Sequence, residues 1–368
     1  MKIQKKLYFQ ILKFLNTDGD NKIIKNKSLK SFYYTILSSF AVILFFFSIP
    51  TIIFYKDKLF LDVEEVRNNS KNNLEKVLSG KFLNEEQDET LDAAIVYEDI
   101  IKLDNAPAGI VRLSASTVQQ LFKETNYNLD EVRRTKYVKP ITLSLLPSQI
   151  KMIENIKKRK SLFIRIILPL ILEENNKIKL NRKKLFAILN KNNNSQSEIN
   201  WLNLKFKQYG VKKKNLSTLK IRMDEIPVSL AIAQAAKETG WGTSRFAIEG
   251  NALFGQWTYS GEGLKPLALD NDKNHKVMKF TILKASIRAY QRNLNTHSSY
   301  KSFRKVRAEL RDNQEGLNSL ILAEHLDKYA ETGKEYTKIL KQIIKQNSLI
   351  DFDNVKLLPT TIKLKNII

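Results

Sequence analysis

Apolar and polar positions divide the chain into stretches of different grammar. Ser31 to Tyr55, SFYYTILSSFAVILFFFSIPTIIFY, contains no charged residue. As a helix rising about 1.5 Å per residue it exceeds the roughly 30 Å hydrocarbon core of a bilayer, so residues 31–55 are expected to form a transmembrane anchor. The residues before it, 1–30, carry eight lysines against Asp18 and Asp20, which predicts a cytoplasmic amino terminus and an extracytoplasmic remainder. A cleaved signal peptide is the weaker reading, because the apolar run is long, begins late and is followed by no small-x-small site. Lys56 to about Asp92 is polar and acid-rich and reads as a spacer. Ala93 to Asp130 mixes AAIVY and IVRLSAS, which suit short strands or helix equally, and residues 56–138 are given no function.

Helical periodicity is strong from Lys139 onward. LPSQIKMIENIKKRKSLFIRIILPLILEENNKI predicts two helices with a kink at Pro169; its apolar run Leu162 to Leu172 is too short to span a membrane and is expected in a core. NNNSQ is a loop, and NWLNLKFKQYGV begins another helix ending at Gly210. Residues 139–222 therefore form a helical extension, 223–353 the main domain and 354–368 a tail. The main domain opens with IPVSLAIAQAAKETGWGTSRFAIEGNALFGQW, Ile226 to Trp257. Pro227 suits a first helical turn, and a helix apolar around most of its circumference belongs at the centre of its domain. Gly240 and Gly242 end that helix just past Glu238, so a rigid element delivers a carboxyl to the edge of the core beside Trp241. TYSGEGLKPLALDNDKNHKVMKF then predicts a β-hairpin with Asp270 to Asn274 at its tip, and the remaining periodicity is helical.

Composition narrows the chemistry. The chain has no cysteine, so thiolate metal sites and a cysteine nucleophile are excluded. His275, His297 and His325 lie far apart, so no metal and no cofactor is expected. The net charge of +24 suits nucleic acid, anionic lipid or an acidic polymer, but the lysines are spread evenly and no nucleic-acid module is present. Nucleic acid is therefore not an expected partner.

The segments AQAAKETGWGTSRFA and GNALFGQW, with NLNTHSSYKSFRKVRAELR and YAETGKEYTKILKQII in the same order, resemble the glucosaminidase domain of bacterial peptidoglycan hydrolases, most closely its Bax-type subgroup. The resemblance runs from about Ile141 to Phe352. It implies a mainly α, lysozyme-like domain with a small β-hairpin lobe, acting on peptidoglycan glycan strands as an endo-β-N-acetylglucosaminidase. A lytic transglycosylase and a non-catalytic wall-binding scaffold are the competing readings.

A single glutamate at a helix end is by itself more often structural. The resemblance makes Glu238 the general acid, a role that suits a carboxyl whose pKa burial raises. The second catalytic group stays open: the hairpin offers Asp270, with Asp272 and Glu262 as alternatives, each equally explicable as turn chemistry, and the substrate's own acetamido group is a third route. Tyr329 in YAETGKEY matches an active-site tyrosine of the family and Tyr336 a second one seven residues on, while Glu331 and Thr332 depart from the family's residues. Sugar rings present flat apolar faces, so Trp241, Phe254, Gln256, Trp257 and Tyr290, with Gln234, Asn251 and Tyr336, are the candidate substrate-binding residues. For Phe254 and Tyr290 burial in the core competes with that role, and Asn251 also suits fixing the NALFG turn.

Overall fold

The computed structural model describes residues 93–105, 109–258, 263–264 and 276–359. The expected anchor 31–55, its basic leader, the spacer to 92, the hairpin acids Glu262, Asp270 and Asp272, and the tail from 360 lie outside the described residues.

The ambiguous stretch after Ala93 is helical: α1 (Ala93–Val96), α2 (Glu98–Asp104), α3 (Ala115–Glu124) and α4 (Leu129–Thr135). Side-chain caps decide two of these. Ser114 accepts from the Thr117 amide and Asn128 from the Glu131 amide, satisfying backbone donors that a strand would have needed elsewhere. Beyond α4, strand β1 (Tyr137–Val138) pairs in parallel with a strand at Lys356–Leu357, so part of the tail is tied to the residues just before the helical extension.

The segment expected to form two helices is one, α5 (Ile156–Leu189), of 34 residues, preceded by a 3-10 turn at Ser148–Met152. Pro169 lies inside it without dividing it. A proline removes the hydrogen bond to the carbonyl four residues back. Here that carbonyl, on Arg165, accepts the Tyr127 hydroxyl at 3.1 Å, and Arg165 returns a bond to the Tyr127 carbonyl. The helix therefore continues, with Leu162, Phe163, Ile166, Ile167 and Leu168 fully buried. Among the described residues no helix is long and apolar enough to cross a membrane. Against the second half of α5 pack α6 (Gln196–Gln208), started by a Ser195/Glu198 capping box, and α7 (Leu216–Arg222), around a satellite core of Leu185, Leu202, Phe206, Leu219 and Met223.

The centre of the main core is α8 (Val228–Thr239). Leu230, Ala231, Ile232, Ala233 and Ala235 have no exposed surface, as a helix without a polar face requires. Pro227, at its cap position, has no side-chain acceptor. Asp353 supplies one from across the fold, taking the Ser229 amide at 2.8 Å and the Ser229 hydroxyl at 2.7 Å. After the short α9 (Arg245–Gly250), β2 (Trp257–Thr258), β3 (Gly263–Leu264) and β4 (Lys276–Met278) form an antiparallel sheet in the order β2-β4-β3. The expected hairpin is thus a three-stranded sheet with β4 in the middle. The chain closes through α10 (Leu283–Thr296), α11 (Lys301–Asp312), α12 (Ser319–Ala323) and α13 (Lys334–Gln346), the last packed on α8. This mainly helical body with a small sheet fits the expected lysozyme-like class.

Candidate active site

Glu238 occupies the last turn of α8, where the helix is stopped by three consecutive left-handed residues, Gly240, Trp241 and Gly242, with φ of +57°, +62° and +83°. Gly240 and Trp241 both donate to the Ala236 carbonyl, and Thr239 Oγ accepts the Gly242 amide at 2.9 Å. Gly242 is required for space as well as for φ: a Cβ there would lie 2.8 Å from the Phe163 ring of α5. Trp241 holds a conformation that costs a non-glycine residue roughly 1–2 kcal/mol. Its indole is kept in place edge-on to Phe163 at 6.1 Å, with the Lys160 ammonium 4.7 Å above it.

Glu238 lies at the rim of this core, a partly exposed residue. Burial pushes its pKa above the ordinary glutamate value; a hydrogen bond from Tyr336 and the charge of Lys237 oppose the shift without cancelling it. Behind it runs a buried relay. Tyr290 donates to Gln234 Oε1 at 2.6 Å, Gln234 Nε2 donates to the Tyr336 hydroxyl at 3.2 Å, and Tyr336 donates to Glu238 Oε1 at 2.9 Å. The direction is fixed at its far end, because a phenol can meet an amide oxygen only as donor. Tyr336 is consequently committed to donating toward the carboxyl. That leaves Oε2 as the oxygen able to carry the acidic proton. Oε2 faces Gly255, where φ is +60° and a Cβ would stand 3.0 Å from that oxygen.

Gly255→Ala is therefore expected to cost stability by roughly 1–2 kcal/mol through its left-handed backbone. It should also lower activity, by up to about 10²-fold, by displacing the acid. Melting curves and turnover of a cell-wall substrate check this together; full activity in a folded Ala variant would show that the space beside Oε2 is not used.

Tyr329, partly exposed, stacks parallel to Tyr336 with ring centres 5.5 Å apart and donates to the Phe254 carbonyl at 2.8 Å. Burial holds its pKa well above that of a free phenol. Trp241 and Gln256 are also partly exposed, and the Gln256 carbonyl accepts from the Met278 amide of β4. Trp257 begins β2 opposite Val277. The structure thus brings Glu238, Tyr336 and Tyr329 together beside Gly255, while Asp270 lies outside the described residues.

Five expected substrate-binding residues have other roles. Gln234, Phe254 and Tyr290 are 0%, 1% and 0% exposed, so none offers a surface to a sugar. Phe254 and Tyr290 instead stack on each other at 3.8 Å and wall the site from behind, and Gln234 joins Tyr290 to Tyr336. Asn251 is buried, left-handed at φ +48°, and donates to the Phe280 and Thr281 carbonyls at 2.9 and 3.2 Å, tying the NALFG turn to the end of the sheet. Tyr336, 2% exposed, acts on the acid rather than on a sugar face. One neighbour was missed: Tyr300, 5.9 Å from Tyr329, whose pKa rises to about 12 through burial, against a hydrogen bond with Asn293 and reinforced by the charge of Glu238. Nothing local marks it, because the turn carrying it is far from Glu238 along the chain. Among the described residues no cluster of His, Asp or Glu is arranged to hold a metal ion.

Comparisons with known proteins identify the domain that carries these residues. The glucosaminidase family model, described as mannosyl-glycoprotein endo-beta-N-acetylglucosaminidase, matches residues 215–349, a span that includes α8, Glu238, Gly255, Tyr329 and Tyr336. The site thus lies in a glucosaminidase domain, a glycoside-hydrolase domain of the kind that acts on peptidoglycan. Protein bax of Escherichia coli (strain K12) is 34% identical over 195 residues, which make up 51% of this chain and 70% of that protein. The chain belongs to the Bax-like glucosaminidase family. No solved structure matches it.

Proposed function

We propose that the protein is a membrane-anchored peptidoglycan hydrolase, an endo-β-N-acetylglucosaminidase that cleaves the bond between N-acetylglucosamine and N-acetylmuramic acid with Glu238 as general acid. The observation that carries the reading is Glu238 itself: rigidly placed at a helix end, a residue partly open to solvent, raised in pKa by burial, and among the described residues hydrogen-bonded by the Tyr336 side chain at Oε1. Glycoside hydrolysis needs a proton for the leaving oxygen, and a carboxyl kept neutral by its surroundings supplies one. Proton transfer from Oε2 leaves a carboxylate whose charge the Tyr336 hydroxyl then stabilises.

Trp241, Gln256, Trp257 and Tyr329 are the proposed glycan contacts, and Asp270 is the proposed second carboxylate. A separation of about 6.5–9.5 Å from Glu238 would accompany inversion and about 5–5.5 Å retention. The uncharged run 31–55 is the proposed inner-membrane anchor, with the amino terminus in the cytoplasm and the glucosaminidase domain in the periplasm, where the wall is.

Digestion of purified peptidoglycan by the full chain, followed by mass spectrometry of the released fragments, tests the activity. The expected products end in reducing N-acetylglucosamine. Anhydromuramic ends would make the protein a lytic transglycosylase, and no release at all would support a wall-binding scaffold.

A further inference from the structure

On the face of α10 turned from the acid, a cavity of about 350 Å³ lies among α2, α5, α6 and α10. None of Glu238, Tyr329 or Tyr336 lines it. Its walls hold four cations, Lys177, Lys205, Arg288 and Arg292, but only two carboxylates, Asp99 and Glu174. Three of the cations are committed. Arg288 grips Glu174 with two bonds of 2.8 and 3.0 Å, Arg292 grips Asp99 with two of 3.0 and 3.1 Å, and Lys177 reaches Glu174 at 2.9 Å. Lys205 differs: its ammonium meets the neutral Gln208 Oε1 at 2.9 Å and the Trp201 ring at 5.5 Å, and among the described residues no carboxylate lies within ion-pair distance of it.

We infer that this cavity binds a small organic carboxylate, with Lys205 as the cation that pairs with its head group. A partly buried ammonium whose direct partners are neutral has lost water without gaining a bonded counter-charge, and a seated carboxylate would supply one through a charge-assisted bond. The cost is visible in the lysine, whose pKa falls to about 8: burial lowers it most, Arg292, Arg288 and Lys184 press the same way, and Asp99 opposes them. Lys205 is the one lining cation with no carboxylate within ion-pair distance among the described residues, since Arg288 and Lys177 share Glu174 and Arg292 holds Asp99. A single carboxylate head group matches that one ammonium, whereas the second charge of hydrogenphosphate would meet Asp99 and Glu174 across the same space. The volume exceeds that of one oxyanion. Ile178 and Leu180 offer apolar contact to the rest of the ligand, and the Asn181 and Gln291 amides offer hydrogen bonds, which suits a carboxylate with a short amide-bearing body.

Calorimetric titration of the full-length protein with N-acetylalanine of either hand, and separately with inorganic phosphate, tests the assignment. The expected result is one saturable site for N-acetylalanine, phosphate weaker, and affinity reduced at least about ten-fold in both Lys205→Met and Lys205→Gln. Affinity should also fall as pH rises past about 8, when the lysine loses its charge. Glu238→Gln should bind as the parent does, independently of whether the protein cleaves the wall. No saturable binding, equal binding by a folded Lys205 variant, or tighter binding of phosphate would overturn the proposal. Loss of binding in Glu238→Gln would do so too, by moving the ligand to the acid.

Discussion

Glu238→Gln is expected to lower peptidoglycan hydrolysis by about 10²- to 10⁴-fold, the range a general acid contributes, while the fold persists. Glutamine keeps an oxygen where Tyr336 donates, so the Tyr290–Gln234–Tyr336 relay retains its terminal acceptor. What it lacks is the proton. The linked effect on stability has a defined sign. Because the folded-state pKa of Glu238 is raised, its contribution is most favourable below the ordinary glutamate value of 4.5 and is lost as pH rises through the folded pKa. At neutral pH the variant should therefore be at least as stable as the parent, the pattern of a site that gives up stability for chemistry. Reducing-end release and thermal melts at matched pH check both halves. An inactive variant that is also unfolded would recast Glu238 as structural, and a folded variant with near-parental rates would remove it from the mechanism.

The largest stability effect is expected far from the acid, at Asp224. This buried carboxylate stands where α5, α7 and α11 meet, 3.2 Å from Arg311, 3.8 Å from Arg182 and 3.9 Å from the fully buried Arg307. Burial alone would raise its pKa, but the three guanidinium groups outweigh that and hold it below the usual aspartate value. Arg307 is pulled down to about 10 by burial, against the charge of Asp224, and remains a cation at neutral pH. Asp224→Ala removes the counter-charge and leaves that cation inside, so a loss of about 3–5 kcal/mol is expected in denaturant unfolding. The parent's contribution from this group exists above the unfolded aspartate value of 3.8 and fades as pH falls through the lower folded value. The difference between parent and variant should therefore shrink in acid. A loss below about 1 kcal/mol at neutral pH, the range of an exposed pair, would show that the cluster does not hold the joint.

What could be read from the sequence follows from how local each determinant is. The α8 helix, its stop at two glycines and the delivery of Glu238 to an edge are encoded within fifteen residues, and the structure has all three. The single helix through Pro169 was not legible, since the Arg165 carbonyl orphaned by proline is satisfied by Tyr127, 38 residues away along the chain. The roles of Gln234 and Tyr290 failed for the same reason. Their types suit a glycan groove, and only the packing of α10 and α13 against α8 turns them inward to hold Tyr336. Gly255 shows the converse case: its place in the NALFG turn was plain, yet its nearness to Glu238 Oε2 depends on folding the turn back over the end of α8.

The proposed acid catalysis depends on the surroundings of Glu238 keeping its carboxyl protonated beyond the range of an exposed glutamate. Titrating that carboxyl by carbon-13 NMR, assigned through the resonance missing in Glu238→Gln, measures this directly. The expected midpoint lies above 4.5 in the parent and higher still in Tyr336→Phe, because the lost hydroxyl no longer stabilises the anion. A midpoint at or below 4.5 in the parent, or a downward shift in the Phe variant, would contradict it.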